Sequence, residues 1–188
     1  MLLGEEFYRA LFSLHGNAVL DRLMLFFADY LVLLVPLTLI YLWFQGRQGE
    51  EDSLYSFYTV LLGLAASYIM GLIYSHGNPS TVFDTLVPRK PENAFPSQHT
   101  AVVLTAAFAY FKRDRKNLGG LITVAAVLTG LSRIYIGEHW PVDILGSVAA
   151  SLIGLGVSYS SWSLYEPVWS PLLDFYDEVY QKVESKFL

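Results

Sequence analysis

Residues 54–74 read LYSFYTVLLGLAASYIMGLIY and contain no charged side chain. A helix crosses the hydrocarbon core of a membrane with about 20 consecutive, mostly apolar residues, so this stretch is long enough to span a membrane. The composition agrees, because 54% of the 188 residues are hydrophobic and only 15% are charged, against about 25% charged residues in an average soluble domain. The sequence therefore predicts an all-α fold, a polytopic membrane helical bundle.

Other stretches almost free of charge lie on either side of this one and bring the expected number of transmembrane helices to about five. They are residues 23–44, 98–111, 118–136 and 142–165. Pro36 lies inside the first of them and predicts a kink. In the last, Gly146, Ala150 and Gly154 recur every four residues, a spacing that lets a membrane helix pack closely against a neighbour.

The two ends of the chain are amphipathic rather than uniformly apolar. Residues 5–14 predict a short N-terminal interfacial helix and not a cleaved signal, because acidic residues stand where a signal peptide would be basic. After Pro167, apolar residues recur at helical spacing and Ser170-Pro171 is a typical helix start. A C-terminal amphipathic helix on the membrane surface or on a partner is expected. We therefore divide the chain into a membrane-embedded domain, residues 1–166, and a C-terminal helix, residues 167–188.

The charges of the connecting loops predict the orientation in the membrane. Residues 112–116 read KRDRK, and counting across five spans places this loop on the same side as Arg47 and the C-terminal tail. Cytoplasmic loops carry an excess of Lys and Arg, so we expect a multi-pass protein of the cytoplasmic membrane with this side facing the cytoplasm. The long connection 75–96 and the short turn 137–140 then lie on the extracytoplasmic side.

Charge and cysteine content exclude several classes of function. The 17 acidic residues outnumber the 12 Lys and Arg residues, which gives a net charge of -5. An acidic protein does not attract a polyanion, so no nucleic-acid partner is expected. The chain has no cysteine, which excludes disulfides, thiolate metal ligands and cysteine nucleophiles.

A first group of chemically active residues lies at the start of the third predicted span, where residues 95–100 read FPSQHT. Pro96 interrupts the chain and Ser97 stands where it could cap the helix that follows. A helix N-terminus offers unpaired N–H groups and the positive end of the helix dipole, which suit an anion such as phosphate. His99 would be presented at the same place. The alternative is an ordinary serine cap beside a surface histidine.

A second group lies between the fourth and fifth spans, where residues 132–143 read SRIYIGEHWPVD. His139 and Asp143 are four residues apart and would share a helix face. A carboxylate that holds one imidazole N–H leaves the other ring nitrogen free to attack or to take a proton. Arg133 ends the preceding span, and ionisable residues in or beside a span are costly and therefore functional candidates. The alternative is a structural Arg133–Asp143 ion pair.

On the predicted topology, these residues meet at the extracytoplasmic ends of three adjacent spans. Two histidines, an arginine and a helix N-terminus suit the transfer of an anionic group through a covalent histidine adduct, and arginine suits phosphate because its planar group donates two hydrogen bonds. A metal site is the competing use of His and Asp. The cationic Arg133 disfavours it, and the sequence places no third histidine close by.

The two motifs closely resemble the second and third signature motifs of the type 2 phosphatidic acid phosphatase superfamily of membrane lipid phosphatases. The resemblance rests on residues 96–99, PSQH, and on Ser132-Arg133 followed by His139 and Asp143 at the family's spacing. Residues 93–97, NAFPS, and the small size make the chain most similar to the undecaprenyl-diphosphatase branch.

The resemblance implies a role for each matching residue. His139 would be the nucleophile that forms a phosphohistidine, with Asp143 orienting it, and His99 would protonate the leaving oxygen. Family members of this kind need no metal ion or other cofactor. The phosphoryl oxygens would be held by Arg133, Ser97 and the backbone N–H groups that follow, beginning with Gln98.

The sequence departs from the family's first motif, a Lys followed by Arg-Pro just after the preceding helix. Its expected place is near residues 71–79, where Asn78-Pro79 replaces Arg-Pro and no Lys stands upstream. Arg89 and Lys90 are the nearest cations that could fold back over the phosphate, and we expect one of them to substitute. The alternative is that both are solvated loop charges.

The expected function is the hydrolysis of a polyisoprenyl diphosphate, undecaprenyl diphosphate, to the monophosphate. The expected partners are this membrane lipid phosphate and the bilayer, and the sequence leaves the oligomeric state open. Alternative substrates are phosphatidylglycerophosphate, phosphatidate and the phosphate of a lipid A. A non-catalytic lipid-phosphate-binding protein and a transport protein are alternatives from other classes.

Overall fold

The structure is a computed structural model that describes residues 3–88 and 93–187. The described residues contain no β-strand and form seven α-helices, which confirms the predicted all-α class. In chain order the helices are α1 (Leu3–Phe12), α2 (Ala18–Tyr30), α3 (Leu34–Trp43), α4 (Arg47–Ile73), α5 (Gln98–Lys112), α6 (Lys116–Tyr135) and α7 (Pro141–Phe187).

Four helical stretches of the described chain are long and apolar enough to cross a membrane. They are Ala18–Trp43, Arg47–Ile73, Lys116–Tyr135 and Pro141–Tyr165. The chain is therefore a multi-pass membrane protein, as predicted. The first stretch is interrupted by a 3₁₀ turn, Leu31–Leu33. Pro36 explains the interruption. A proline lacks the backbone N–H and clashes with the carbonyl group four residues before it, which here lies within the 3₁₀ turn.

The remaining predicted span, α5, is short but central. Its 15 residues give a helix about 22 Å long at 1.5 Å per residue, less than the hydrocarbon core of about 30 Å. It packs against α4, α6 and α7, and Ala101, Ala106 and Ala107 are fully buried. Because neighbouring helices surround it, α5 can begin inside the bundle, and its N-terminus lies at a cavity described below.

Glycines bring α4 and α7 into close contact, as the four-residue spacing predicted. A Cβ atom on Gly154 of α7 would lie 2.5 Å from the Cα atom of Gly63 on α4. One on Gly146 would lie 2.4 Å from the ring of Phe95, and Ala150 is fully buried.

The C-terminal segment is helical, as predicted, but it continues α7 instead of starting a new helix. α7 runs through Pro167 and Pro171 without a break. Contacts on both sides of the prolines support the continuous helix. Trp162 stacks on Trp169, and Arg47 of α4 lies 2.7 Å from a carboxylate oxygen of Asp174. The division of the chain at residue 167 stays a prediction.

The basic loop and the start of α4 meet at one end of the bundle. The carboxylate of Asp52 is buried and accepts from Arg113 Nε and Arg115 Nε, at 2.6 Å each. Arg47, which binds the C-terminal part of α7, lies at the same end. The predicted grouping of these segments is therefore confirmed.

The N-terminal helix α1 packs at the opposite end. The ring of Tyr8 is fully buried and contacts Phe83 of the long connection and Trp140 of the α6–α7 turn, with ring centroids 4.9 and 5.4 Å apart. Burial raises the pKa of Tyr8 to about 12. α1 thus covers the connections that surround the candidate site.

Candidate active site

A cavity of about 720 Å³ opens at the end of the bundle where α5 begins. Its walls come from α2, α4, the last turn of α6, the long connection, the first residues of α5 and the α6–α7 turn. Four of the predicted site residues line it: Gln98, His99, Arg133 and His139. The structure therefore brings residues from both sequence motifs to one cavity.

His139 is held by a backbone carbonyl group. Its Nδ1 lies 2.7 Å from the carbonyl oxygen of Ala94. Because a carbonyl oxygen can only accept, Nδ1 must carry the proton, and the lone pair of Nε2 stays free in the neutral ring. The backbone N–H of His139 donates to the carbonyl oxygen of Arg133 at 3.2 Å, and Gly137, with a φ of 90°, permits this tight turn.

Asp143 lies near His139, and its expected role in orienting His139 stays a prediction. The distance from His139 Nδ1 to Asp143 Oδ2 is 3.5 Å. The same oxygen accepts the backbone N–H of Trp140 at 2.7 Å. Asp143 is the third residue of α7, and a carboxylate at this position reaches back to the N-terminus of its own helix. The same carboxylate oxygen therefore binds the start of α7 and lies within 3.5 Å of His139 Nδ1.

Arg133 presents an unpaired donor near the cavity. Its guanidinium group pairs with Glu138 and lies 3.5 Å from Asp29. In the described part of the chain its Nε is buried without a hydrogen-bond partner. The alternative Arg133–Asp143 ion pair is not formed, since these two other carboxylates flank the arginine. A buried N–H without an acceptor suits an anionic oxygen supplied by a ligand.

The first residues of α5 complete this wall of the cavity. Gln98 and His99 are the first two residues of the helix, and the backbone N–H groups of a first helical turn have no acceptor within the helix. His99 is half-buried and lines the cavity together with Gln98. Backbone donors and an imidazole therefore face the same space as His139.

Ser97 occupies the predicted cap position but does not cap the helix with its side chain. Its hydroxyl is fully buried and lies 3.1 Å from the hydroxyl of Thr100, and Ser97 is not among the described residues that line the cavity. The backbone of Ser97 is held by α7, because Ser147 donates to the carbonyl oxygen of Ser97 at 2.7 Å. The contact of this hydroxyl with phosphate stays a prediction.

The two loop cations, Arg89 and Lys90, lie outside the described residues. The described residues on either side of them, Pro88 and Asn93, both line the cavity. Asn78, which stands where the family's first motif has Arg, lines it as well.

Sequence reasoning missed His76. Its Nε2 lies 2.8 Å from Asp143 Oδ1, and its Nδ1 lies 3.1 Å from the carbonyl oxygen of Gly77. The available signal was its position two residues before Asn78-Pro79, in the connection predicted to face the two motifs. No spacing rule links it to Asp143, which is 67 positions away in the sequence.

The sequence also contains no indication that the side chain of Asn93 fixes the segment before α5. Its side-chain amide donates to the carbonyl oxygen of Gly71 at 2.8 Å, and its side-chain oxygen accepts from the backbone N–H of Phe95 at 3.0 Å. The next residue, Ala94, donates its backbone N–H to the carbonyl oxygen of His76 at 2.9 Å. These contacts fix the segment that carries the carbonyl partner of His139.

The cavity combines anion binding with a nucleophile. Within residues 3–88 and 93–187, no group of three or more His, Cys, Asp or Glu side chains is arranged to hold a metal ion. The cavity instead joins backbone donors, a guanidinium group and two imidazoles. Such a set can hold a phosphoryl group and transfer it to a ring nitrogen.

Comparison with known proteins identifies relatives over most of the chain. The PAP2 superfamily matches residues 52–166. Undecaprenyl-diphosphatase BcrC of Bacillus subtilis is 33% identical over 189 residues, covering 98% of this chain and 97% of the relative.

Two crystal structures share the fold. Aquifex aeolicus LpxE has a TM-score of 0.69 at 24% identity, covering 85% of this chain and 96% of its own. A PAP2 type phosphatidylglycerolphosphate phosphatase from Bacillus subtilis has a TM-score of 0.65 at 20% identity, covering 87% of this chain and 86% of its own.

Proposed function

The chain belongs to the PAP2 superfamily and is a membrane phosphatase, and on that premise we propose that it hydrolyses undecaprenyl diphosphate to the monophosphate through a phosphohistidine on His139. The observation that carries the proposal is the hydrogen bond of His139 Nδ1 to Ala94, because it leaves Nε2 free for attack. The substrate is supported by the named activity of the relative BcrC, which aligns along almost the whole chain.

The proposed reaction has two steps. His139 Nε2 attacks the terminal phosphorus, the P–Nε2 bond forms, and the bond from phosphorus to the bridging oxygen breaks. His99 donates a proton to the leaving oxygen of undecaprenyl phosphate. A water molecule then attacks the phosphohistidine, gives a proton to His99 and releases inorganic phosphate, which restores neutral His139.

The cavity supplies donors for the phosphoryl group. Arg133 Nε and the backbone N–H groups of Gln98 and His99 hold its oxygens and stabilise the charge that develops during transfer. Arg89 or Lys90 is proposed to bind the second phosphate, supported by the place of Pro88 and Asn93 in the cavity wall. The reaction is proposed to need no metal ion.

The active site is proposed to face the extracytoplasmic side of the cytoplasmic membrane. The cavity opens at the end of the bundle opposite the loop of Arg113 and Arg115, which bind Asp52. An excess of Lys and Arg is typical of cytoplasmic loops.

A phospholipid or lipid A monophosphate is the second candidate substrate. Asn78 is neutral where the family's first motif has Arg, and fewer cations favour a substrate with one phosphate.

The test is phosphate release by the purified protein in detergent and excess EDTA, with undecaprenyl diphosphate and phosphatidylglycerophosphate offered separately and His139→Ala as the control. The proposal predicts faster release from the diphosphate and none from the variant. Faster release from the monophosphate would establish the second candidate. Release from neither would favour a lipid-phosphate-binding or transport protein.

A further inference from the structure

Asp143 meets two histidines rather than one. Its carboxylate is fully buried, and its Oδ2 is taken by the N-terminus of α7. Its Oδ1 lies 2.8 Å from His76 Nε2, although the two atoms are not aligned as a hydrogen bond and neither has another partner in the described residues. His76 is therefore the side chain that contacts this buried carboxylate oxygen.

The contacts of His76 and His139 form a closed ring of four residues. The carbonyl oxygen of His76 accepts from the N–H of Ala94 at 2.9 Å, and the carbonyl oxygen of Ala94 contacts His139 Nδ1 at 2.7 Å. His139 then lies 3.5 Å from Asp143, which returns to His76 at 2.8 Å. A displacement of His76 would therefore shift both contacts of His139, the one with Ala94 and the one with Asp143.

Both ring nitrogens of His76 face oxygen atoms that can only accept, Asp143 Oδ1 and the carbonyl oxygen of Gly77. Two titratable side chains, Asp143 and Tyr74, contact the imidazole ring of His76. With both nitrogens engaged, His76 is suited to hold a carboxylate and not to act as a nucleophile.

We propose that His76 is a positioning residue of the active site, which holds Asp143 through its side chain and the carbonyl group of Ala94 through its backbone, and so fixes the attacking ring of His139. This inference rests on the proposed function. It adds a third histidine to the site, one that lies in the segment where the family's first motif is not matched.

The activity test compares His76→Ala and His76→Gln with a control, His15→Ala. His15 lies at the same end of the bundle and contacts the carbonyl oxygen of Tyr135, but it does not line the cavity. We expect His76→Ala to lower kcat about 10- to 100-fold, the range found when a partner that orients a metal-ligating histidine is lost, with KM within about twofold. Gln keeps an N–H donor and should restore most of kcat, and His15→Ala should keep wild-type kcat. A wild-type kcat in His76→Ala, or a change confined to KM, would overturn the proposal.

A second measurement separates this inference from the proposed function. In the Asp143→Asn background, His76→Ala should cause no further loss of kcat and no further fall in the thermal unfolding temperature, whereas it lowers both in the wild-type background. Equal effects in both backgrounds would overturn the His76–Asp143 coupling. If the wild-type protein releases no phosphate, the proposed function fails and the unfolding temperatures alone decide whether the two side chains are coupled.

Discussion

His139 Nδ1 lies 2.7 Å from the carbonyl oxygen of Ala94, a residue 45 positions earlier in the sequence. The contact joins the segment before α5 to the turn before α7. Because it sets which ring nitrogen carries the proton, it decides which one can attack. A backbone group is therefore the nearest partner of His139 Nδ1, while Asp143 caps α7, contacts His76 and lies 3.5 Å from His139.

Replacing Arg133 with Lys should slow phosphate transfer. Lysine keeps the charge but has no Nε–H at the buried position next to the cavity. Loss of one donor to a developing oxyanion lowers kcat about 100- to 1000-fold. The measurement is kcat with undecaprenyl diphosphate, and the control is Arg22→Lys at an exposed position of α2. A kcat for Arg133→Lys equal to that of the control would show that Arg133 does not stabilise the transferred group.

The rate should depend on pH with a maximum between two limbs. Attack needs neutral His139, so the rate falls at acid pH, and departure needs protonated His99, so it falls at alkaline pH. The measurement is kcat/KM from about pH 5 to pH 9 for the wild type and for His99→Gln. The variant should be slower and should lose the alkaline limb. An alkaline limb that survives in His99→Gln would assign the acid to another group.

Replacing Asp52 with Asn should destabilise the protein. The carboxylate is 1% exposed and binds two arginines at 2.6 Å each, and loss of such charge-assisted hydrogen bonds costs about 1–3 kcal/mol. The measurement is the thermal unfolding temperature in detergent. In the control, Asp114→Asn, the carboxylate is 88% exposed and the cost should stay below about 1 kcal/mol. Equal unfolding temperatures for the two variants would show that the Asp52 cluster does not stabilise the bundle.

Replacing Gly154 with Ala should force α4 and α7 apart. The added Cβ would lie 2.5 Å from backbone atoms of Gly63, and overpacking of this kind costs about 1–3 kcal/mol. Gly156 is the matched control, because a Cβ there meets nothing within 4 Å. The unfolding temperature should fall for Gly154→Ala and stay level or rise for Gly156→Ala. Similar unfolding temperatures for both variants would show that α4 and α7 leave room for a Cβ atom at Gly154.

The sequence predicts the helical membrane fold well, because a helix in lipid needs a long run of apolar residues and such a run is visible in the sequence. It predicts α5 less completely. A helix enclosed by other helices needs neither full length nor an apolar outer face, so its 15 residues carry a weak signal. It also predicts a new helix after Pro167 where α7 continues, since proline rules describe a helix in isolation and contacts such as Arg47–Asp174 act from another helix.

The candidate site is predictable where residues share a local spacing. His99, Arg133 and His139 lie in two short motifs, and all three line one cavity. The role of Ala94 could not be predicted, because the acceptor is a backbone group and any residue type would supply it. His76 could not be linked to Asp143, since only the folded connection brings them together. Ser97 shows the converse, because it stands at the predicted cap position but its hydroxyl contacts Thr100 instead of a backbone N–H of the helix.

Chemical trapping of the phosphoenzyme tests directly whether His139 carries the phosphoryl group. Undecaprenyl diphosphate with a radiolabelled terminal phosphate is mixed with the protein in detergent and excess EDTA, and the reaction is stopped in alkali within a turnover. A phosphohistidine on His139 predicts label on the wild-type protein that is stable to alkali and released by acid, as expected for a phosphorus–nitrogen bond. His139→Ala should carry none. Turnover without such label, or label that persists in His139→Ala, would contradict a phosphohistidine at this residue.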